Sequence, residues 1–192
     1  MSNEKLYDVI KKPLITEKSV TATENGQYTF EVKQDANKIE KNTIETGSFA
    51  GICATNCIGT ISNNSVIGCT GNALLTQGEE TAVASFTINN NILQTSSETD
   101  YDIMLNVNSQ NCVIKDNIYG TRGFKAAKTN TSYILTEANG LINISDTWYY
   151  VQDGKMQTDY TGLVKHGGSW YYVQKGILKW GVETLVKYNG TW

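Results

Sequence analysis

The sequence predicts a mainly β protein in three unlike segments: a small α+β unit over residues 1–41, a stack of short parallel strands over 42–140, and an array of β-hairpins over 141–192. Three observations predict it. A short apolar pattern split by asparagine recurs at intervals of 22 to 27 residues through the middle. An aromatic pattern recurs at a fixed offset of 22 residues at the end. Composition also shifts along the chain: all four tryptophans and six of the eleven tyrosines lie after residue 147, and the single proline is Pro13.

Charge narrows the function classes. The chain has a net charge of −3 over 192 residues. Residues 1–41 carry seven lysines against seven acids, and residues 42–140 carry four basic residues against eight acids. No segment has the basic balance that dominates binding to a phosphate backbone, so a nucleic-acid role needs a local patch. No run approaches the roughly 20 apolar residues that cross a bilayer. Met1–Lys12 also lacks the apolar core and cleavage site of a secretory leader. The expectation is a chain with no membrane partner and no secretion signal.

In the first segment, Leu14-Ile15-Thr16 after Pro13 reads as a strand, Glu24-Asn25-Gly26 as a turn, and Tyr28–Val32 alternates apolar and polar at period two. Tyr7-Asp-Val-Ile-Lys-Lys-Pro-Leu-Ile-Thr-Glu-Lys-Ser19, Tyr28-Thr-Phe-Glu-Val32 and Asp35-Ala-Asn-Lys-Ile39 resemble the start of a large-subunit ribosomal protein. The family is the twenty-third of the traditional numbering, which borders the polypeptide exit tunnel. The resemblance implies a helix beginning at Ala36-Asn37-Lys38, with Lys12, Thr16, Lys18 and Ser19 facing ribosomal RNA. Glu17 would be the docking point for nascent-chain chaperones. The resemblance stops near Ile39 to Lys41, well short of half the family's length, so that the family's later strands and basic loop have no counterpart.

The middle segment repeats one hexapeptide frame. Ile39-Glu-Lys-Asn-Thr-Ile44 returns as Ile61-Ser-Asn-Asn-Ser-Val66, Ile88-Asn-Asn-Asn-Ile-Leu93 and Ile114-Lys-Asp-Asn-Ile-Tyr119. A unit recurring at this interval predicts a solenoid, and β-branched pairs around an asparagine turn suit strands. The pattern resembles the right-handed parallel β-helix of pectate lyases and phage tailspikes. That resemblance implies an inward stack of Ile61, Ile88 and Ile114 and a ladder of Asn64, Asn91 and Asn117. Cys57, Cys69 and Cys112 fit as small inward residues. Cys53 and Cys57 lack C-x-x-C spacing, and the one histidine, His166, is far away. Buried thiols are therefore expected first, disulfides second and a metal site last. The solenoid's candidates for chemistry are Glu98, Asp100, Asp102, Asp116 and Arg122. Glu98-Thr-Asp-Tyr-Asp102 puts alternate carboxylates on one face if extended, as calcium ligands or an acid/base pair. No catalytic motif accompanies them, and the expectation is a non-enzymatic chain, with a polysaccharide-active enzyme as an alternative.

The tail holds the clearest repeat. Trp148-Tyr-Tyr-Val-Gln152, Gly154, Leu163-Val-Lys165, Gly168 and Trp170 recur as Trp170-Tyr-Tyr-Val-Gln174, Gly176, Leu185-Val-Lys187, Gly190 and Trp192. Each unit reads as an aromatic strand, a glycine turn and a second strand. Such units are similar to the tandem cell-wall and choline-binding repeats of Gram-positive surface proteins. The resemblance implies cell-wall glycan or teichoic acid as partner, with Trp148, Tyr150, Trp170, Tyr172 and Trp180 holding the ligand. The alternative for each ring is a place in the core of the array. His166 stands where the next copy has Tyr188, so packing is its expected role. Trp192 would open a third unit, which makes a cut-off array the expectation. No cofactor is called for. The repeats point to the cell surface and the first segment to the cytoplasm, and a fused chain without integrated function is a further reading.

Overall fold

The computed structural model describes residues 15–16, 19–21, 37–45, 47–80, 82–130 and 132–182, and among these every regular element is a strand. The first described strands are β1 (Ile15–Thr16) and β2 (Ser19–Thr21). Four three-strand coils follow. The first holds β3 (Asn37–Glu40), β4 (Thr43–Glu45) and β5 (Ala50–Thr55), and the second β6 (Ile58–Ser62), β7 (Ser65–Cys69) and β8 (Asn72–Gln77). The third holds β9 (Ser85–Asn89), β10 (Ile92–Thr95) and β11 (Ile103–Leu105), and the fourth β12 (Cys112–Lys115), β13 (Ile118–Tyr119) and β14 (Phe124–Ala126). A further strand, β15 (Tyr133–Thr136), lies on β12. Like strands pair in parallel to make three sheets, ordered β1-β3-β6-β9-β12-β15, β2-β4-β7-β10-β13 and β5-β8-β11-β14.

The hexapeptide explains the corner between the first two sheets. Its first and last residues point inward, so Ile39, Ile61, Ile88 and Ile114 stack in register, as do Ile44, Val66, Leu93 and Tyr119. The third residue bends the chain through the left-handed region, at Lys41, Asn63, Asn90 and Asp116 with φ of 54° to 55°. Asn and Asp tolerate that region better than other non-glycine residues. The bend turns the fourth residue inward, and Asn42, Asn64, Asn91 and Asn117 form the ladder. Asn42, Asn64 and Asn91 each donate an amide N–H to the next side-chain oxygen, at 3.0, 2.9 and 2.9 Å. The same oxygen also accepts the preceding asparagine's backbone N–H, and Asn64, Asn91 and Asn117 reach back to the carbonyls of Ile39, Ile61 and Ile88. The amides of Asn64, Asn91 and Asn117 are buried yet bonded, which is what makes them tolerable in an apolar interior, whereas the buried Asn42 oxygen, on the first asparagine rung, accepts no bond among the described residues.

Two expectations change here. Asn37 and Lys38, placed by the ribosomal resemblance at a helix start, lie in β3. Stacking of Ile39 on Ile61 outweighs any local helical preference. The solenoid also starts earlier than its first asparagine rung, because β1 and β2 pair in parallel with β3 and β4. The four cysteines are buried thiols, with Cys57, Cys69 and Cys112 in the main core and Cys53 beside Leu75 and Met104.

After the solenoid come β16 (Gly140–Ile144), β17 (Thr147–Gln152) and β18 (Lys155–Met156), and 22 residues later β19 (Gly162–His166), β20 (Ser169–Gln174) and β21 (Ile177–Leu178). They form one antiparallel sheet ordered β16-β17-β21-β20-β19, with β18 on β17. Registers repeat with the sequence: Gly140 pairs Val151 and Gly162 pairs Val173. The turns at Ser145–Asp146 and Gly167–Gly168 hold both residues at positive φ, as tight hairpins require. The aromatic strand turns at Asp153–Gly154 onto β18 and at Lys175–Gly176 onto β21, as the sequence framing has it, and a further strand that the framing lacked, β16 or β19, precedes it.

Candidate aromatic binding face

The hairpins stack on the solenoid and on each other, and strand alternation decides what each ring meets. On β17, Tyr149 and Val151 face the solenoid, where they join Ile92, Ile118, Ala138, Ile144 and Met156 in one apolar cluster. Main-chain bonds tie the joint: Tyr119 N–H donates to the Gly154 carbonyl at 2.7 Å and Gly154 N–H to Ala138 at 2.9 Å. Ser145 Oγ donates to the Asn63 carbonyl at 3.0 Å.

Trp148 and Tyr150 point the other way, into the second cluster of Leu141, Val164, Val173 and Leu178 with Tyr160 and Tyr171. Trp148 meets His166 edge-on with centroids 5.5 Å apart, and His166 meets Tyr171 at 6.4 Å. His166 is exposed and lies between these two rings. Tyr150 lies 4.7 Å from Tyr160, whose hydroxyl donates to the Leu163 carbonyl at 2.7 Å. These two candidates line the seam between hairpins.

On β20 the alternation repeats, with a different outcome. Val173 and Tyr171 face the first hairpin, and Trp170 and Tyr172 face away from it. Trp170 is 47% exposed and Trp180 is 69% exposed. Trp170, Tyr172 and Trp180 surround an open concavity of about 550 Å³, completed by Leu163, Tyr171, Lys179, Gly181 and Val182. Trp180 stands perpendicular to Tyr171, at 6.0 Å and 86°. Lys165 Nζ sits 5.9 Å from the Trp170 centroid, so this indole face already takes a cation. Flat rings with polar edges suit a sugar face or a quaternary ammonium group. Sequence reading missed Leu163, Tyr171, Lys179, Gly181 and Val182. Leu163 was legible only through its register with Tyr172 across β19 and β20.

The solenoid carboxylates do not share a face. Glu98 is exposed on a bend, and Asp100 accepts from Ser97 Oγ at 2.9 Å and Asn72 Nδ2 at 3.3 Å. Asp102 is fully buried and accepts the N–H groups of Thr95 and Gly123 at 2.8 and 2.6 Å. Burial pushes its carboxyl above the ordinary range even against those bonds. Asp116 forms a turn, and Arg122 Nε donates to the Asp100 carbonyl at 2.9 Å. Of the ribosomal-like candidates, Lys12, Glu17 and Lys18 lie outside the described residues. Thr16 and Ser19 lie in strands paired with Glu40 and Thr43.

Comparison with known proteins bears on both ends of the chain. Residues 138–157 and 159–179 match the choline-binding repeat family, and residues 8–46 match the ribosomal protein L23 family. The large ribosomal subunit protein uL23 of Streptococcus equi subsp. equi is 53% identical over 47 residues, covering 24% of this chain and 48% of that protein. The same protein of Streptococcus pyogenes (strain Manfredo) matches with equal identity and coverage. The chain spans about half the length of the curated relatives it matches, and the family match runs on to residue 46. The likeness is therefore longer than the sequence reading placed it. No solved structure matches the chain. The chain is a composite: a ribosomal-protein-like start, a stack of parallel β-coils, and a pair of hairpins similar to choline-binding repeats.

Proposed function

We propose that this protein binds cell-wall glycan through the outward face of its hairpin array and does not catalyse a reaction on it. The observation that carries this is the grouping of Trp170, Tyr172 and Trp180 around one open concavity on the last described hairpin. Choline carried by teichoic acid, or a sugar ring, is the ligand class these rings suit. In this reading residues 141–192 are the binding module, residues 42–140 a spacer, and the site of action is a Gram-positive surface. Trp148 and Tyr150 serve mainly by holding the second hairpin in place. The test is passage of the full chain over choline-substituted resin and over Gram-positive walls. Retention reversed by free choline, and lost in Trp170→Ala/Trp180→Ala, is the expected result. Flow-through of the unsubstituted chain on both supports would refute the reading.

A second reading rests on the 53% identity of the first segment to uL23. There Lys12, Thr16, Lys18 and Ser19 contact ribosomal RNA and Glu17 receives nascent-chain chaperones. The pairing of β1 and β2 with the solenoid weighs against it. Cosedimentation with large ribosomal subunits at moderate salt would favour it over the first.

A further inference from the structure

All four basic residues between positions 42 and 140 fall between Lys115 and Lys128, whereas the eight acids run from Glu45 to Glu137. The structure gathers those cations on the fourth coil. There the Arg122 guanidinium lies 5.5 Å and Lys125 Nζ 5.9 Å from the centroid of one ring, Tyr101. A ring quadrupole attracts each cation more weakly than a carboxylate at contact distance would. Neither cation pairs with a carboxylate among the described residues, where the ion pair is Lys38–Glu40. The nearby Asp100 carboxylate is engaged by Ser97, Thr99 and Asn72. The same coil carries the hairpin array, through the Tyr119–Gly154 bond.

We propose that this coil is an anion site for the phosphodiester groups of a polyol-phosphate polymer, with Arg122 and Lys125 as its charged contacts and Tyr101 as its floor. The inference rests on the glycan-binding reading for the kind of polymer, since the array would hold other groups of the same chain. RNA also carries a phosphodiester at every unit of its backbone, so it is the competitor that the test separates.

The test is fluorescence polarisation with labelled poly(glycerol phosphate) that carries no choline, so that the array's affinity for choline plays no part. The full chain is expected to bind it with affinity that falls as salt rises. Arg122→Gln and Lys125→Gln should each weaken binding about tenfold, with thermal melting unchanged in Lys125→Gln and retention on choline resin unchanged in both. Arg122 also bonds the Asp100 carbonyl, so Lys125→Gln is the cleaner variant. Three results would overturn the proposal: no binding by the unsubstituted chain, undiminished binding by both variants, or equal affinity for a uridine homopolymer of the same charge. Failure on choline resin with polymer binding intact would sink the array's role and leave this site standing.

Discussion

The solenoid and the hairpin array both repeat, but repetition means different things in them. In the solenoid, Asn64 and Asn91 each have an asparagine rung on both sides, so equal residues have equal surroundings. In the array, Trp148 and Trp170 are equal in sequence and unequal in place, because a described hairpin covers the first and the second opens on a concavity. A repeat fixes a residue's role only when its neighbours repeat as well.

The largest effect should come from the ladder. Asn91→Ala removes three donated bonds and an oxygen that accepts twice from Asn64, which strands buried groups on two coils. The expected cost is about 3 kcal/mol or more, read by chemical denaturation. Next comes the joint. A Cβ on Gly154 would stand 2.5 Å from the Tyr119 ring at φ +73°, whereas one on Gly168 meets nothing within 4 Å at φ +87°. Gly154→Ala should therefore cost roughly 2–3 kcal/mol and Gly168→Ala about 1 kcal/mol, the backbone strain alone. The two tryptophans should then separate. Trp148→Ala should cost about 2 kcal/mol through the seam between hairpins. Trp170→Ala should cost under about 0.5 kcal/mol while lowering ligand retention. Equal melting shifts for the two would contradict the asymmetry.

Smaller effects probe the solenoid interior. Burial raises Cys57 to about 12 and Cys69 to about 11, so both should resist maleimide at pH 8 until the coils open. Labelling that follows global unfolding is expected, and fast labelling of native protein would contradict tight packing. Asp102 gives the smallest effect. Its folded pKa is raised, so the protonated form is favoured in the fold. Its contribution is full below the unfolded pKa and is lost as pH rises through the folded value. Stability should decline across that window, and Asp102→Asn should flatten the profile.

The hexapeptide made the inner stacks and the ladder legible, because period and chemistry both repeated. The first rung was not legible. Ile15-Thr-Glu-Lys-Ser-Val20 has the spacing of Ile39–Ile44 but carries Lys18 where the frame has asparagine. Its likeness to a ribosomal start also suggested another fold. Residues 37–45 fit both that likeness and a solenoid rung, and the long-range stacking of Ile39 and Ile44 on the next coil decides for strands. In the tail, the aromatic candidates were legible as a set, but the division among them was not. Exposure depends on which hairpin lies beyond, and strand alternation alone gives no order of stacking.

The most direct measurement is retention of the full chain on choline-substituted resin, compared among the unsubstituted protein, Trp170→Ala/Trp180→Ala and Trp148→Phe. Loss is expected only in the double variant, with its melting temperature held. Retention that survives the double variant, or that fails only in Trp148→Phe, would contradict an outward-facing site on the second hairpin.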